Sequence, residues 1–208
     1  MTRLDAYAEI RAFFDRAAEG WDENACHDPD WLRGVLSRAG LRPGDAVLDV
    51  GCGTGVLIPY LLDLVGPEGR VHALDISPAM LERARAKGRA RAGGEPVTYH
   101  CAPAEAIPLP DGSCAAAVCY SAFPHFPDQA LAVAEMARVL RPGGRLIVAH
   151  PDSREEINRF HAELGGPVGG HALPDDETMT DYVRAAGLVL TSLTDGPGGY
   201  LLVACKPA

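Results

Sequence analysis

The chain has 208 residues, 47% hydrophobic and 23% charged, as expected of one globular domain with a substantial core. Its net charge of -9 argues against nucleic acid as a bulk electrostatic partner. No apolar run approaches the length of a membrane span, and Met1 to Asp5 leads into mixed polar residues rather than the apolar stretch of a secretion signal. The cysteines (Cys26, Cys52, Cys101, Cys114, Cys119 and Cys205) lack C-x-x-C spacing, so reduced thiols and a cytoplasmic location are expected.

Apolar positions at Leu4, Tyr7, Ile10, Phe13, Phe14 and Ala17 predict an amphipathic helix over residues 4–19, interrupted at Gly20. Asp28 and Pro29 open a second helix with Trp31, Leu32, Val35 and Leu36 on its apolar stripe. Gly40 and Pro43-Gly44 end this region, which reads as an N-terminal helical lid over residues 1–42, followed by a core over 43–208. Val47 to Val50 is a buried strand that runs into Gly51-Cys52-Gly53-Thr54-Gly55. Thr54 is expected to cap a helix over about 56–65. A second strand, Val71 to Asp75, leads through Ser77-Pro78 to a helix reaching about Arg91, whose basic run reads as a solvated face. Gly93-Gly94 breaks that helix. Strands follow at 96–101, 115–120 and 145–150, with a helix at 128–140 and turns at 108–113 and 141–144. Helices at 153–164 and 175–186 flank the glycine-rich loop 165–174, and strands at 189–194 and 200–206 form a closing hairpin. Strands alternating with helices imply a doubly wound, seven-stranded, mostly parallel α/β sheet with an antiparallel last strand.

The loop after the first strand carries the most chemistry. A dinucleotide fingerprint, G-x-G-x-x-G, starting at Gly51 requires glycine at 56, which is Val56. A phosphate-binding P-loop needs Lys and Ser/Thr at the loop end, and neither is present. The pattern is D-x-G-x-G-x-G, with Asp49 two residues before Gly51. It resembles motif I of the class I S-adenosylmethionine (SAM) dependent methyltransferases. Ala104 to Ser113 is similar to that family's adenine-loop segment, and Val139 to Leu146 to its helix, turn and fifth strand. The resemblance extends over nearly the whole chain and is strongest for the ubiquinone/menaquinone-type small-molecule enzymes.

The resemblance implies a Rossmann-like fold and S-adenosyl-L-methionine as cofactor, with S-adenosyl-L-homocysteine as product. It implies that Asp49, Gly51 and Gly53 hold the methionyl part, that Asp75 binds both ribose hydroxyls, and that Ile76, Ala104 and Glu105 border the adenine. Tyr120 and Ser121 then lie near the sulfonium. Pro103 stands where the family often has an Asp reading the adenine amino group, so that selectivity passes to Glu105, a backbone carbonyl or water.

Candidate proton acceptors follow strand C-termini, where this fold gathers ligands. His125 lies between Pro124 and Phe126, His150 ends the fifth strand, and Tyr120 ends the fourth. The competing reading for His125 is a packed loop histidine. Trp21, His27, Ser121 and His171 are candidate acceptor-site residues. Cys26, His27, His125, His150 and His171 are candidate metal ligands by residue type, though without a recognised ligand spacing. His72 and His100 read as structural and His161 as exposed on its helix. The leading function is methyl transfer to a small-molecule acceptor by in-line displacement, in a monomer or homodimer. A nicotinamide-dependent oxidoreductase, a non-catalytic SAM-binding module and metal-assisted methyl transfer are the alternatives.

Overall fold

The computed structural model describes residues 3–24, 27–91 and 96–208; Cys26 and the Gly93-Gly94 helix break lie outside them. The strands are β1 (Ala46–Val50), β2 (Arg70–Asp75), β3 (Val97–Cys101), β4 (Cys114–Tyr120), β5 (Leu140–His150), β6 (Val189–Gly196) and β7 (Gly199–Cys205). They form one sheet in the order β3-β2-β1-β4-β5-β7-β6. β7 runs antiparallel to both β5 and β6, and the other pairings are parallel. The sheet has the expected doubly wound form, with its order reversing between β1 and β4. That reversal opens a crevice at the strand C-termini.

Alternation along the strands sends side chains to two cores. Leu48, Val50, Cys119, Val148 and Leu202 pack with Val133 and Met136 of α6 (Gln129–Val139) and Met179 and Val183 of α8 (Asp176–Ala185). On the other face Val47, Val118, Ile147 and Val203 pack with Leu32, Val35 and Leu36 of α3 (Pro29–Ser37) and Leu61 and Val65 of α4 (Ile58–Val65). All seven residues of β4 are buried, consistent with its central position.

Helix starts follow local chemistry. Asp28 accepts from the backbone of Asp30 and Trp31 ahead of α3, and Asp128 from Leu131 in α6. Ser77 Oγ accepts from Met80 at the start of α5 (Pro78–Arg91). Ser153 and Glu156 form a reciprocal capping box in α7 (Arg154–Leu164). Thr54 departs from expectation. α4 begins at Ile58 with no side-chain cap, and the Thr54 hydroxyl donates instead to Asp22 at 2.5 Å. The expected turn at 141–144 lies within β5 as an irregularity, where pairing jumps from Cys114↔Leu140 to Ala116↔Arg145.

α1 (Arg3–Ala17) and α2 (Trp21–Asn24) lie over the glycine-loop end of the sheet, joined by a 3-10 turn at Ala18–Gly20 rather than a break. Two carboxylates hold this cover down. Asp15 accepts from Ser77 Oγ at 2.6 Å and from the Ala79 N–H at 3.3 Å. Asp22 accepts from Thr54 and from Lys87 Nζ at 2.7 Å, so this member of the expected solvated run has an ion-pair partner. Within residues 1–42, α3 is built into the core beneath.

The hairpin that places β7 beside His150 turns at Gly199, whose φ is +94°. A Cβ there would lie 2.5 Å from the His150 backbone oxygen. Gly199→Ala is expected to cost more than about 1 kcal/mol, from the disfavoured backbone region and the displaced neighbour. The midpoint of denaturant unfolding measures this, and an unchanged midpoint contradicts it.

Candidate active site

The loop after β1 is pinned to the end of β2. The N–H groups of Gly51 and Cys52 donate to the Leu74 carbonyl at 2.8 and 2.9 Å, and the Gly53 N–H donates to Asp75 Oδ2 at 2.9 Å. The three glycines do different things. A Cβ at Gly51 would lie 2.4 Å from that of Ala122, and one at Gly55 would lie 2.8 Å from Ile58 Cδ1, so these two answer to protein packing. At Gly53, φ is +52° and the nearest atom to an added Cβ is Trp21 Nε1 at 3.9 Å. Its backbone forms an open floor beneath the lid.

That floor belongs to a cleft of about 600 Å³ counted out to its mouth. Gly51, Gly53, Asp75, Ile76, Ala104 and Glu105 line it, Pro103 borders it, and Tyr7, Ile10, Phe14 and Trp21 of the lid roof it. Asp75 ties two loops, accepting from Gly53 on one oxygen and from Ser77 at 2.8 Å on the other. A carboxylate has about four lone-pair sites, so both oxygens keep capacity. Burial raises its pKa to about 6, against the lowering effect of those N–H donors. Glu105 accepts from the Asp128 N–H at 3.0 Å and from the Tyr7 hydroxyl, and burial raises its pKa as well.

Asp49 lies beneath this cleft at 1% exposure, and its Oδ2 has no hydrogen-bond partner. Burial, reinforced by the charge of Asp75, raises its pKa to about 8. A buried orphan carboxylate beside a second buried carboxylate suits a cationic ligand.

A second cavity of about 1160 Å³ shares Phe14, Trp21, Ser121 and His125 with the cleft. His150 and His161, together with Ile157, Phe160 and Leu164 of α7, extend it. Ser121, at the junction, has φ +54°, the only positive value at a non-glycine residue among the described residues. Such strain concentrates at functional sites. His125 follows in a 3-10 turn, Phe123–His125. Its Nδ1 lies 2.9 Å from His171 Nδ1, and its ring meets His161 and Phe14 edge to face. Burial, with the neighbouring imidazoles, pushes its pKa well down. His150 is 3% exposed with an unpartnered Nε2, and burial lowers its pKa to about 3.

The structure brings together most of the expected site. Three expectations need correction. Tyr120 lines neither cavity: strand alternation turns it to the α3 face, where its hydroxyl bonds His27 Nδ1 at 2.9 Å. His27 therefore stands apart from His125 and His171. His161, expected on the surface, is 6% exposed and joins the histidine cluster. Its signal was present in the spacing from Ile157, which puts both on the buried stripe of α7. His72 and His100 pair at 3.2 Å, apart from the site. Among the described residues no three His, Cys, Asp or Glu side chains are grouped to hold a metal ion.

A family profile described as a methyltransferase domain matches residues 48–148, from β1 to β5. The ubiquinone/menaquinone biosynthesis C-methyltransferase UbiE of Marinomonas sp. (strain MWYL1) is 39% identical over 191 residues, covering 81% of this chain and 76% of the relative. The chain belongs to the S-adenosylmethionine-dependent methyltransferases. S-adenosyl-L-methionine is the cofactor of this methyltransferase, and the nicotinamide alternative is set aside. The corresponding protein of Hahella chejuensis is 39% identical over 118 residues, and there the chain spans only 47% of the relative's length. In fold, the methyltransferase is similar to geranyl diphosphate C-methyltransferase from Streptomyces coelicolor A3(2), with a TM-score of 0.77, 98% of each chain covered and 14% identity. No helix among the described residues is long and apolar enough to cross a membrane.

The residues fit a sulfonium cofactor: a cation in the cleft would favour the ionised form of the buried Asp49, whose Oδ2 is unpartnered, and the open Gly53 floor leaves room for it. The same carboxylate burdens the ligand-free protein. An acid whose pKa rises from 3.8 to about 8 on folding takes up a proton as it folds, so stability falls as pH climbs between those values. Asp49→Asn is expected to raise the melting temperature of the ligand-free methyltransferase, by a margin that grows from about pH 4 to about pH 8 and then levels. Thermal scans across that range, without cofactor, measure it. A margin that does not vary with pH contradicts the assignment.

Proposed function

We propose that this methyltransferase transfers the methyl group of S-adenosyl-L-methionine to a small-molecule acceptor held in the second cavity. The observation that carries this reading is the meeting of the two cavities at Ser121 and His125, beneath the aromatic lid. A cofactor-binding module without chemistry has no use for a second cavity that opens onto the first. The cofactor, when bound, supplies the electrophilic methyl, and the chain's contribution is charge balance, alignment and dryness.

In this reading Asp49 and the backbone at Gly51 and Gly53 hold the methionyl portion, with the Asp49 carboxylate set against the cofactor's positive charge. Asp75 takes the ribose hydroxyls on its remaining lone pairs. Ile76, Ala104 and Glu105 border the adenine, and Pro103 leaves its amino edge to the backbone or to Glu105. Phe14 and Trp21 exclude water from the junction. His125, neutral at physiological pH because burial holds its pKa down, receives the acceptor's proton. His150 and Tyr120 are not placed in that role. The His125–His171 contact gives the cluster a use that needs no metal.

The second cavity pairs apolar walls, Phe13, Ile157, Phe160 and Leu164, with charged Asp152, Glu156 and Arg159, which suits an acceptor with a hydrophobic body and a polar group. The Marinomonas relative is named as a C-methyltransferase of quinone biosynthesis, so a hydroquinone is the first acceptor to assay. A cytoplasmic monomer or homodimer that does not bind nucleic acid in bulk completes the proposal, supported by the net charge of -9.

Two variants test it. Asp75→Ala is expected to weaken cofactor binding by about 1.5–3 kcal/mol, the range for hydrogen bonds to a charged group, in calorimetric titration of a folded variant. Unchanged affinity removes Asp75 from the ribose. His125→Ala is expected to lower turnover by ~10²–10⁴-fold while cofactor affinity holds. A loss under about tenfold, against that range, assigns His125 to packing.

A further inference from the structure

The sequence reads His161 as exposed on its helix, and the reaction as described makes no use of it. Its Nδ1 lies 2.9 Å from the backbone oxygen of His171. A carbonyl oxygen only accepts, so His161 Nδ1 carries the proton and, in the neutral ring, Nε2 is bare. His171 Nδ1 lies in turn 2.9 Å from His125 Nδ1. Two imidazole nitrogens at that separation share one proton, one ring donating and the other accepting. The His125 and His161 rings meet edge to face with centroids 4.8 Å apart, and Phe14 closes on His125 at 5.0 Å. His125 is thereby held at Nδ1 and across its ring, while its Nε2 has no hydrogen-bond partner among the described residues.

We propose that His171 orients His125 by accepting its Nδ1 proton, and that His161 is the clamp that holds His171 through its backbone. This deepens the role given to His125 and rests on it. A base, its orienter and a clamp then come from three places in the fold: the turn after β4, the loop after the 3-10 turn Gly166–Val168, and α7. The logic is that of a nucleophile's base steered by a third group, with an imidazole in place of the usual carboxylate. With Nδ1–H donating to His171, Nε2 of His125 is the bare nitrogen. The acceptor's X–H bond gives its proton to that Nε2 and its electron pair to the new X–C bond, while the methyl–sulfur bond breaks with its pair left on sulfur. The positive charge thus passes from the sulfonium to the imidazole, and a neutral thioether leaves. The resulting imidazolium keeps its Nδ1–H on the neutral His171, whose own proton sits on Nε2. Reversed donation, from His171 to His125, puts a proton on Nε2 of His125 and leaves nothing there to accept another.

His161 and His171 are positioning residues, and the first part of their test does not depend on knowing the acceptor. Nitrogen-edited NMR of the imidazole rings in the ligand-free protein reports which nitrogen carries each proton. The expected result is Nδ1–H for both His125 and His161. The Nδ1–H form of His125 is expected to be lost in His171→Ala and kept in His171→Asn, whose amide oxygen can accept in place of Nδ1. The same contrast is expected between His161→Ala and His161→Asn, whose amide N–H can replace the donor to the His171 backbone. With naphthohydroquinone and S-adenosyl-L-methionine, the two alanine variants are expected to lose kcat by roughly tenfold or more at unchanged acceptor KM, within the ~10²–10⁴-fold carried by a base. The asparagine variants are expected to recover most of it. An Nε2–H form of His125, or an Nδ1–H form that survives His171→Ala, overturns the proposal. The failures are distinguishable: a His125→Ala variant with full turnover removes the base role itself, whereas loss in His125→Ala beside full turnover in His171→Ala removes only the orienter.

Discussion

The constraint on which the rest of this structure depends is the burial of two carboxylates in the crevice where the sheet reverses its order. Asp49 is the last residue but one of β1 and Asp75 the last of the adjacent β2, and among the described residues neither has a basic side chain for a partner. The fold stabilises one of them with backbone N–H groups and leaves an oxygen of the other unpartnered. That imbalance is tolerable because the surrounding β1–β4–β5 strands are fully packed on both faces.

From that crevice the arrangement grows outward. The glycine loop bends tightly enough to bring Gly53 onto Asp75, because Gly51 and Gly55 leave room for Ala122 and Ile58. The turn after β4 then brings Ser121 and His125 to the same edge, and α7 returns across it with His161 and Phe160. In the proposed reading, sulfonium binding and proton acceptance occupy adjoining chambers. Two carboxylates line each, Asp75 and Glu105 in the first and Asp152 and Glu156 in the second, and the second adds three imidazoles whose pKa values burial lowers.

Much of this was legible in the sequence because it is local. Strand, glycine loop and helix follow one another, and the spacing of Asp49, the glycines and Asp75 fixes their places at strand ends whatever the rest of the chain does. The seven strands and the antiparallel hairpin were readable for the same reason. What escaped depends on contacts distant along the chain. Thr54 looked like a helix cap until Asp22, 32 residues away, claimed its hydroxyl. Tyr120 had the right position along β4 but the wrong face, since one step of alternation separates the cleft from α3. His161 sits on a helix whose outer face is charged, and only the loop carrying His171 gives its imidazole a partner.

The fastening of the lid has a consequence for the pace of the enzyme. Asp22 and Lys87 meet with 43% and 38% of their side chains open to solvent, so dissolved ions compete for this clasp. Asp15 sits at the N-terminal end of α5, where the helix dipole favours an anion and salt weakens the attraction in the same way. Cofactor must enter, and spent thioether must leave, past a cover held in part by screenable charge. Loosening of this cover by dissolved ions would put the loading of the nucleoside, a step apart from bond making, under the influence of the medium.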